Sequence, residues 1–167
     1  IRRIFPGKYI KVIKSGFEEI NSKVKFKANK NLKNIFQKPK KILLFMGRLD
    51  HQKGVIELIN AWKKLVYEAE FYNWFLLIVG FGPLKKKVFL DANKFNSRII
   101  FAGPKFGAEK MFILKNSKAF ILPSYNEGLP VSVLEALSFG KTCLISQNCN
   151  MNDLIDSNIS LKINITK

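Results

Sequence analysis

A doubly wound α/β domain built on a parallel sheet is what this sequence predicts, and three observations predict it. From Lys41 onward, short uninterrupted apolar runs alternate with amphipathic stretches at helical spacing. That is the pattern of strands covered on both faces by crossover helices. Gly or Pro stands at the end of most runs, where a strand must turn into a helix or a helix must stop. The 167 residues, 47% of them hydrophobic, suffice for one packed domain and are too few for two.

Each element follows in order. Ile42 to Met46 reads as a buried strand stopped by Gly47. Val55 to Val66 places Val55, Leu58, Ile59, Trp62, Leu65 and Val66 on one face of a helix. Trp74 to Val79 is the next strand, ended by Gly80-Phe81-Gly82-Pro83, and Leu84 to Ala92 is a helix with its lysines outward. Arg98 to Phe101 is a short third strand before Gly103-Pro104, and Ala108 to Asn116 another helix. Ala119 to Leu122 is a fourth strand, broken by Pro123; Pro130 opens a helix through Phe139 that Gly140 caps; Thr142 to Ser146 is the fifth. A short helix near Asn152 to Ser157 and a strand at Ser160 to Ile163 close the pattern. Residues 1–40 differ: Tyr9 to Ile13 as a strand, Ser15-Gly16 as a turn, and Asn29 to Lys40 as a polar, Lys-rich approach segment. The expected division is therefore 1–40 and 41–167. Such sheets bind ligands at the carboxyl ends of their strands.

Composition excludes several classes. With 10 Gly, 6 Pro and 2 Cys, the chain is neither collagen-like nor low-complexity nor a disulfide scaffold, and Cys143 and Cys149 read as reduced thiols of a cytosolic protein. No signal peptide opens the sequence, and no apolar run approaches the ~18 residues of a membrane span. The first residue is Ile, so a piece of a longer protein is expected. The net charge is +17, and residues 1–41 carry 13 basic residues against two acids, Glu18 and Glu19. One reading of this excess is solvated lysine; another is attraction to an anionic membrane, a nucleotide or a nucleic acid. Arg stands only at positions 2, 3, 48 and 98, which speaks against base-specific recognition.

Two constellations carry chemistry. In Gly47-Arg48-Leu49-Asp50-His51-Gln52-Lys53-Gly54, Arg48 directly follows a strand and Lys53 stands at a helix entrance. Two cations there suit a diphosphate; mere solvation is the competing reading. In the second, Glu127 lies in the loop after the fourth strand, and Glu135 lies over one turn into the following helix. A ligand-binding pair competes with a carboxylate complementing the helix dipole and with Glu135 as a surface residue. Gly128 suggests a tight turn. Gly140-Lys141-Thr142 fails as a phosphate loop because position 135 is Glu, and Gly80-Phe81-Gly82 lacks a third glycine because position 85 is Lys. His51 is the single histidine and no Asp-x-Asp pair occurs. No metal or cofactor is therefore expected, and the protein's own cations must neutralise a diphosphate.

Together the segments GRLDHQKG, LLIVGFGPL, IIFAGP and AFILPSYNEGLPVSVLEALSFGKTCLIS resemble, in order, the donor-binding half of family 4 retaining glycosyltransferases. That resemblance implies one Rossmann-like half of a GT-B fold, with the acceptor-binding N-terminal domain absent. It implies that Arg48 and Lys53 hold the donor diphosphate and stabilise it as leaving group. It implies further that Glu127 lies beside the transferred sugar and that Glu135 accepts from the ribose hydroxyls. Gly47, Gly128, Leu129 and the amides of Val131 and Ser132 would line the donor loop. The implied donor is a nucleotide-sugar such as a UDP- or GDP-sugar, and the acceptor a glycan or glycolipid of bacterial surface polysaccharide. The implied place is the cytoplasm, peripherally on the inner membrane face. Two departures stand out: Pro130 replaces a common Gly, and Lys14-Ser15-Gly16-Phe17 replaces an Asn-Gly pair. The rival readings are a non-catalytic basic nucleotide- or nucleic-acid-binding module and a glycoside hydrolase using Glu127 and Glu135.

The charge on residues 1–41 yields a first prediction. Binding to anionic vesicles is expected to exceed binding to neutral ones, and to weaken when lysines between 23 and 41 become Gln; sedimentation measures it, and tighter binding to RNA would reverse the assignment.

Overall fold

The computed structural model describes residues 26–37, 40–94 and 98–165. The expected strand at Tyr9 to Ile13 and turn at Ser15-Gly16, with most of the basic N-terminal stretch, lie outside the described residues. A helix that the sequence does not announce comes first: α1, Lys30–Ile35, where a polar approach segment is expected. It forms because the Asn29 side chain caps it, accepting the Leu32 amide at 2.8 Å, and because Leu32 drops into the core.

Six strands follow in one parallel sheet: β1 Lys41–Met46, β2 Trp74–Val79, β3 Ile99–Gly103, β4 Ala119–Leu122, β5 Thr142–Ser146 and β6 Ser160–Ile163. Their order is β3-β2-β1-β4-β5-β6, the doubly wound arrangement. The crossover helices are α2 Val55–Leu65, α3 Lys85–Lys94, α4 Gly107–Asn116, α5 Val131–Ser138 and α6 Asn152–Asp156. Right-handed crossovers put α2 and α3 on one face and α4 and α5 on the other, because strand order runs outward from β1 in opposite directions. The central strands are consequently buried on both sides: Leu44, Phe45, Leu76, Leu77, Ile78, Phe120 and Leu122 are sealed from water. Each such side chain contributes about 1.5–3 kcal/mol of burial free energy.

Three local departures have physical causes. Leu65, expected on the inward face of α2, is 41% exposed, because it ends the helix and Val66, one position on, takes the inward place. β3 runs on to Gly103, where a register shift opposite Ile78 and Val79 lets the strand continue. In α3 only Val88 and Ala92 are buried, so Phe89 and Leu90 face outward with the lysines. α5 ends as expected: Gly140 takes φ +65°, its amide donates to the Leu137 carbonyl and the Lys141 amide to that of Ala136, the paired bonds of a Schellman cap. Among the described residues, no helix is long and apolar enough to cross a membrane.

The reversal of strand order falls between β1 and β4, so the loops after these two strands splay apart at the carboxyl edge. Their bases nevertheless touch at Gly54, which has φ +63° and whose missing Cβ would lie 2.0 Å from the Pro123 carbonyl oxygen. Gly54→Ala is expected to cost about 3–5 kcal/mol, the left-handed penalty plus a forced backbone displacement. Gly140→Ala meets no atom within 4 Å and should cost only about 1–2 kcal/mol. Urea unfolding of both variants measures the difference.

Candidate functional site

The two sequence constellations converge at that switch point. The first loop is anchored from below by Leu49, which is fully buried. The Leu49 amide donates to the Phe81 carbonyl at 2.8 Å, and the Leu49 carbonyl accepts from Leu84 at 2.9 Å. Asp50 caps the turn that follows, accepting the Lys53 amide at 3.2 Å, which sets Lys53 at the entrance to α2.

The second loop is stitched to the first through Gln52. Its carbonyl accepts from the Tyr125 amide at 2.7 Å and the Ser124 hydroxyl at 2.9 Å, while its side-chain amide donates to the Asn126 carbonyl at 2.6 Å. Glu57 on the first turn of α2 acts on the Tyr125 hydroxyl; burial and that carboxylate push the phenol above its ordinary range. From the other side, the Glu127 amide donates to the Asn148 carbonyl at 3.0 Å and its carbonyl accepts from the Asn150 side chain. Asn150 itself sits at φ +52°, a conformation Asn tolerates better than most residues.

Within this frame the structure brings Lys53 and Glu127 together as an ion pair, with the Lys53 side chain 21% and the Glu127 side chain 8% exposed. Arg48 is not turned the same way. It reaches Asp50 at 3.1 Å with 67% of its side chain exposed, so one cation is engaged inside the loop contact and the other stands at its mouth. Glu135 is shielded rather than superficial, and it pairs with Lys110 of α4. Pro130 occupies the N-cap of α5 and provides no side-chain cap, which leaves the Val131 and Ser132 amides available at the positive end of the dipole. Gly47 follows β1 and donates to the Val79 carbonyl at 3.0 Å. Leu129 is exposed beside the α5 entrance.

The chain bends at Gly128 as expected, without entering positive φ, and a Cβ built there meets no atom within 4 Å. Sequence reasoning missed Lys110, Gln52 and Asn150. Nothing local marks Lys110 as the partner of a residue 25 positions away, whereas an Asn in a short strand-to-helix link is a recognisable sign of left-handed backbone. Among the described residues no group of three His, Cys, Asp or Glu is placed to hold a metal ion.

Comparison with known proteins bears on the family and the fold. The model of the family described as glycosyl transferases group 1 matches residues 26–161. A glycosyltransferase of Methanocaldococcus jannaschii, MJ1059, is 32% identical over 157 residues, covering 83% of this chain and 37% of its own. An N,N'-diacetylbacillosaminyl-diphospho-undecaprenol alpha-1,3-N-acetylgalactosaminyltransferase of Campylobacter jejuni is 36% identical over 118 residues, 70% of this chain and 28% of that protein. The crystal structure of WaaG, a glycosyltransferase involved in lipopolysaccharide biosynthesis, superposes with a TM-score of 0.66 at 24% identity, over 78% of this chain and 35% of that one. The likeness to WaaG is one of fold, and it makes this domain one half of a GT-B architecture. The chain thus spans well under half the length of these relatives.

The Lys53–Glu127 pair gives a test of the geometry itself. Lys53→Met strands a shielded carboxylate and is expected to cost about 2–4 kcal/mol, while Lys53→Met/Glu127→Gln recovers most of that loss. A double-mutant cycle from urea unfolding supplies both numbers.

Proposed function

The chain belongs to the glycosyl transferases group 1 family, and on that footing we propose that it is the nucleotide-sugar-binding half of a retaining, metal-independent glycosyltransferase. The observation that carries this reading is the set of charges at the switch point. An exposed guanidinium, a shielded lysine–glutamate pair and a helix start without a side-chain cap stand on the loops that follow β1 and β4 at the carboxyl edge of the sheet. A diphosphate fits there because Arg48 offers a bidentate fork, Lys53 a mobile point charge, and the Val131 and Ser132 amides fixed donors.

In this reading the donor diphosphate draws Lys53 away from Glu127, freeing that carboxylate beside the sugar. Breaking the sugar–oxygen bond places charge on the departing phosphate, and Arg48, Lys53 and the α5 amides stabilise that charge without reorganising. Glu135 accepts from the ribose hydroxyls, with Lys110 holding its carboxylate in place until then. Gly47, Gly128 and Leu129 shape the loop around phosphate and sugar. The donor is a UDP- or GDP-sugar, and no metal or cofactor takes part.

The acceptor is a glycan or lipid-linked sugar presented by a preceding domain, as the undecaprenol-linked acceptor in the name of the Campylobacter relative suggests. The enzyme then works at the inner face of the cell membrane in surface polysaccharide synthesis, and nucleic acid is not its partner.

Calorimetric titration tests the site. UDP or GDP is expected to bind equally in EDTA and in magnesium. Arg48→Ala, which removes an exposed side chain at little cost to the fold, should weaken diphosphate binding about ten- to hundredfold and leave nucleoside binding unchanged. Glu135→Ala should do the reverse, impairing nucleoside binding and sparing pyrophosphate. Equal losses for nucleoside and diphosphate in Arg48→Ala would place the phosphate elsewhere.

A further inference from the structure

Outside the proposed donor site, the most unbalanced surface among the described residues is α3. Its sequence is Lys85-Lys86-Lys87-Val88-Phe89-Leu90-Asp91-Ala92-Asn93-Lys94, and only Val88 and Ala92 are buried. Phe89 is 52% and Leu90 46% exposed, and Phe81 in the preceding turn is 59% exposed. Lys86, Leu90 and Lys94 recur at i, i+4 along one outward ridge, with Lys85 and Phe89 beside it. A shallow groove of about 440 Å³ runs there, lined by Pro83, Leu84 and Leu90 together with Lys86, Lys87 and Lys94. The one acid of α3, Asp91, also lines this groove and is neutralised by Lys63 of α2 at 3.1 Å.

The placement of the lysines contradicts what the helix alone prefers. Three ammonium groups occupy the first turn with no acid among them, at the end where the dipole is already positive and favours anions. Exposed aromatic and aliphatic side chains between them gain nothing from water. Both costs vanish against one kind of partner, a surface that is diffusely negative and offers apolar depth beneath the charge. Local rules broken together on one face mark a working surface.

We propose that the outer face of α3, with the turn at Phe81, docks on the headgroup layer of an anionic lipid bilayer. Phe89 and Leu90 enter the headgroup–acyl boundary while the lysine stems lie along the apolar surface and their ammonium groups stay among the phosphates. The face contains no Arg, which suits a diffuse potential and lacks the bidentate forks that select nucleic acid. Because Leu84 is bonded to Leu49, this contact fixes the first donor loop at a set height above the lipid. The proposal stands on α3 and is independent of what the donor site holds.

Co-sedimentation of the full 167-residue chain with phosphatidylglycerol-containing and pure phosphatidylcholine vesicles tests it at physiological salt. Lys85→Gln/Lys86→Gln/Lys87→Gln is expected to lower partitioning onto the anionic vesicles at least about tenfold. Phe89→Ser/Leu90→Ser, at unchanged charge, is expected to lower it severalfold. Phe89→Trp should show a blue-shifted emission, relative to the parent chain, on anionic vesicles and not on neutral ones. Circular dichroism and nucleoside diphosphate binding report whether each variant folds.

The proposal is overturned if both α3 variants bind vesicles like the parent while Gln substitutions between Lys23 and Lys41 abolish binding. It is overturned equally if charge matters but the Ser variant and the Trp emission are silent, or if single-stranded RNA is bound more tightly than the anionic vesicles and the α3 variants weaken that instead.

Discussion

The backbone contact between Gly54 and Pro123 is the constraint on which the rest of the site depends. Two loops that leave the sheet on either side of its topological reversal would otherwise diverge. A residue without a Cβ lets the start of α2 press against the carbonyl that ends β4. Once that approach exists, Gln52 lies where it can bond to three successive residues of the opposite loop. Lys53 then falls opposite Glu127 without any contact of its own choosing. The geometry of the charges is inherited from a packing event between backbones.

A second layer of support comes from residues that carry no charge. Leu49 pins the first loop to the turn after β2, and Asn148 and Asn150 hold Glu127 by its backbone from the turn after β5. Three separate strand ends therefore position one carboxylate. Loops held this way behave as rigid walls, and the freedom of the site resides in the two long cationic side chains.

Much of this was legible in the residues. β2, β4 and β5 match their expected limits because each is a continuous apolar run with an abrupt Gly, Pro or polar boundary. α1 was not legible, since Lys30 to Ile35 offers only two apolar residues and depends on Leu32 finding a core that distant segments build. Leu65 was misplaced because periodicity describes an endless helix and cannot register where the supporting sheet stops. The loops of the site could be located, for their Gly, Arg and Glu residues stand at strand ends. Which cation meets which carboxylate could not, because Lys53 and Glu127 lie 74 positions apart and Lys110 and Glu135 lie 25 apart.

The pairing of Lys53 with Glu127 also changes what occupancy means. Each charge already has a companion within the chain, so an anion binding there as proposed would not fill a vacant electrostatic hole; it would displace a tenant. Affinity then measures a difference between two nearly equivalent contacts and is smaller than either. Small inorganic ions, which bring one contact and no shape, would lose that competition, while a donor engaging Arg48, the α5 amides and Glu135 as proposed would win it by the sum of the others. Under the proposed function the internal ion pair would in this sense be a filter against simple anions, set by the same side chains proposed to receive the donor.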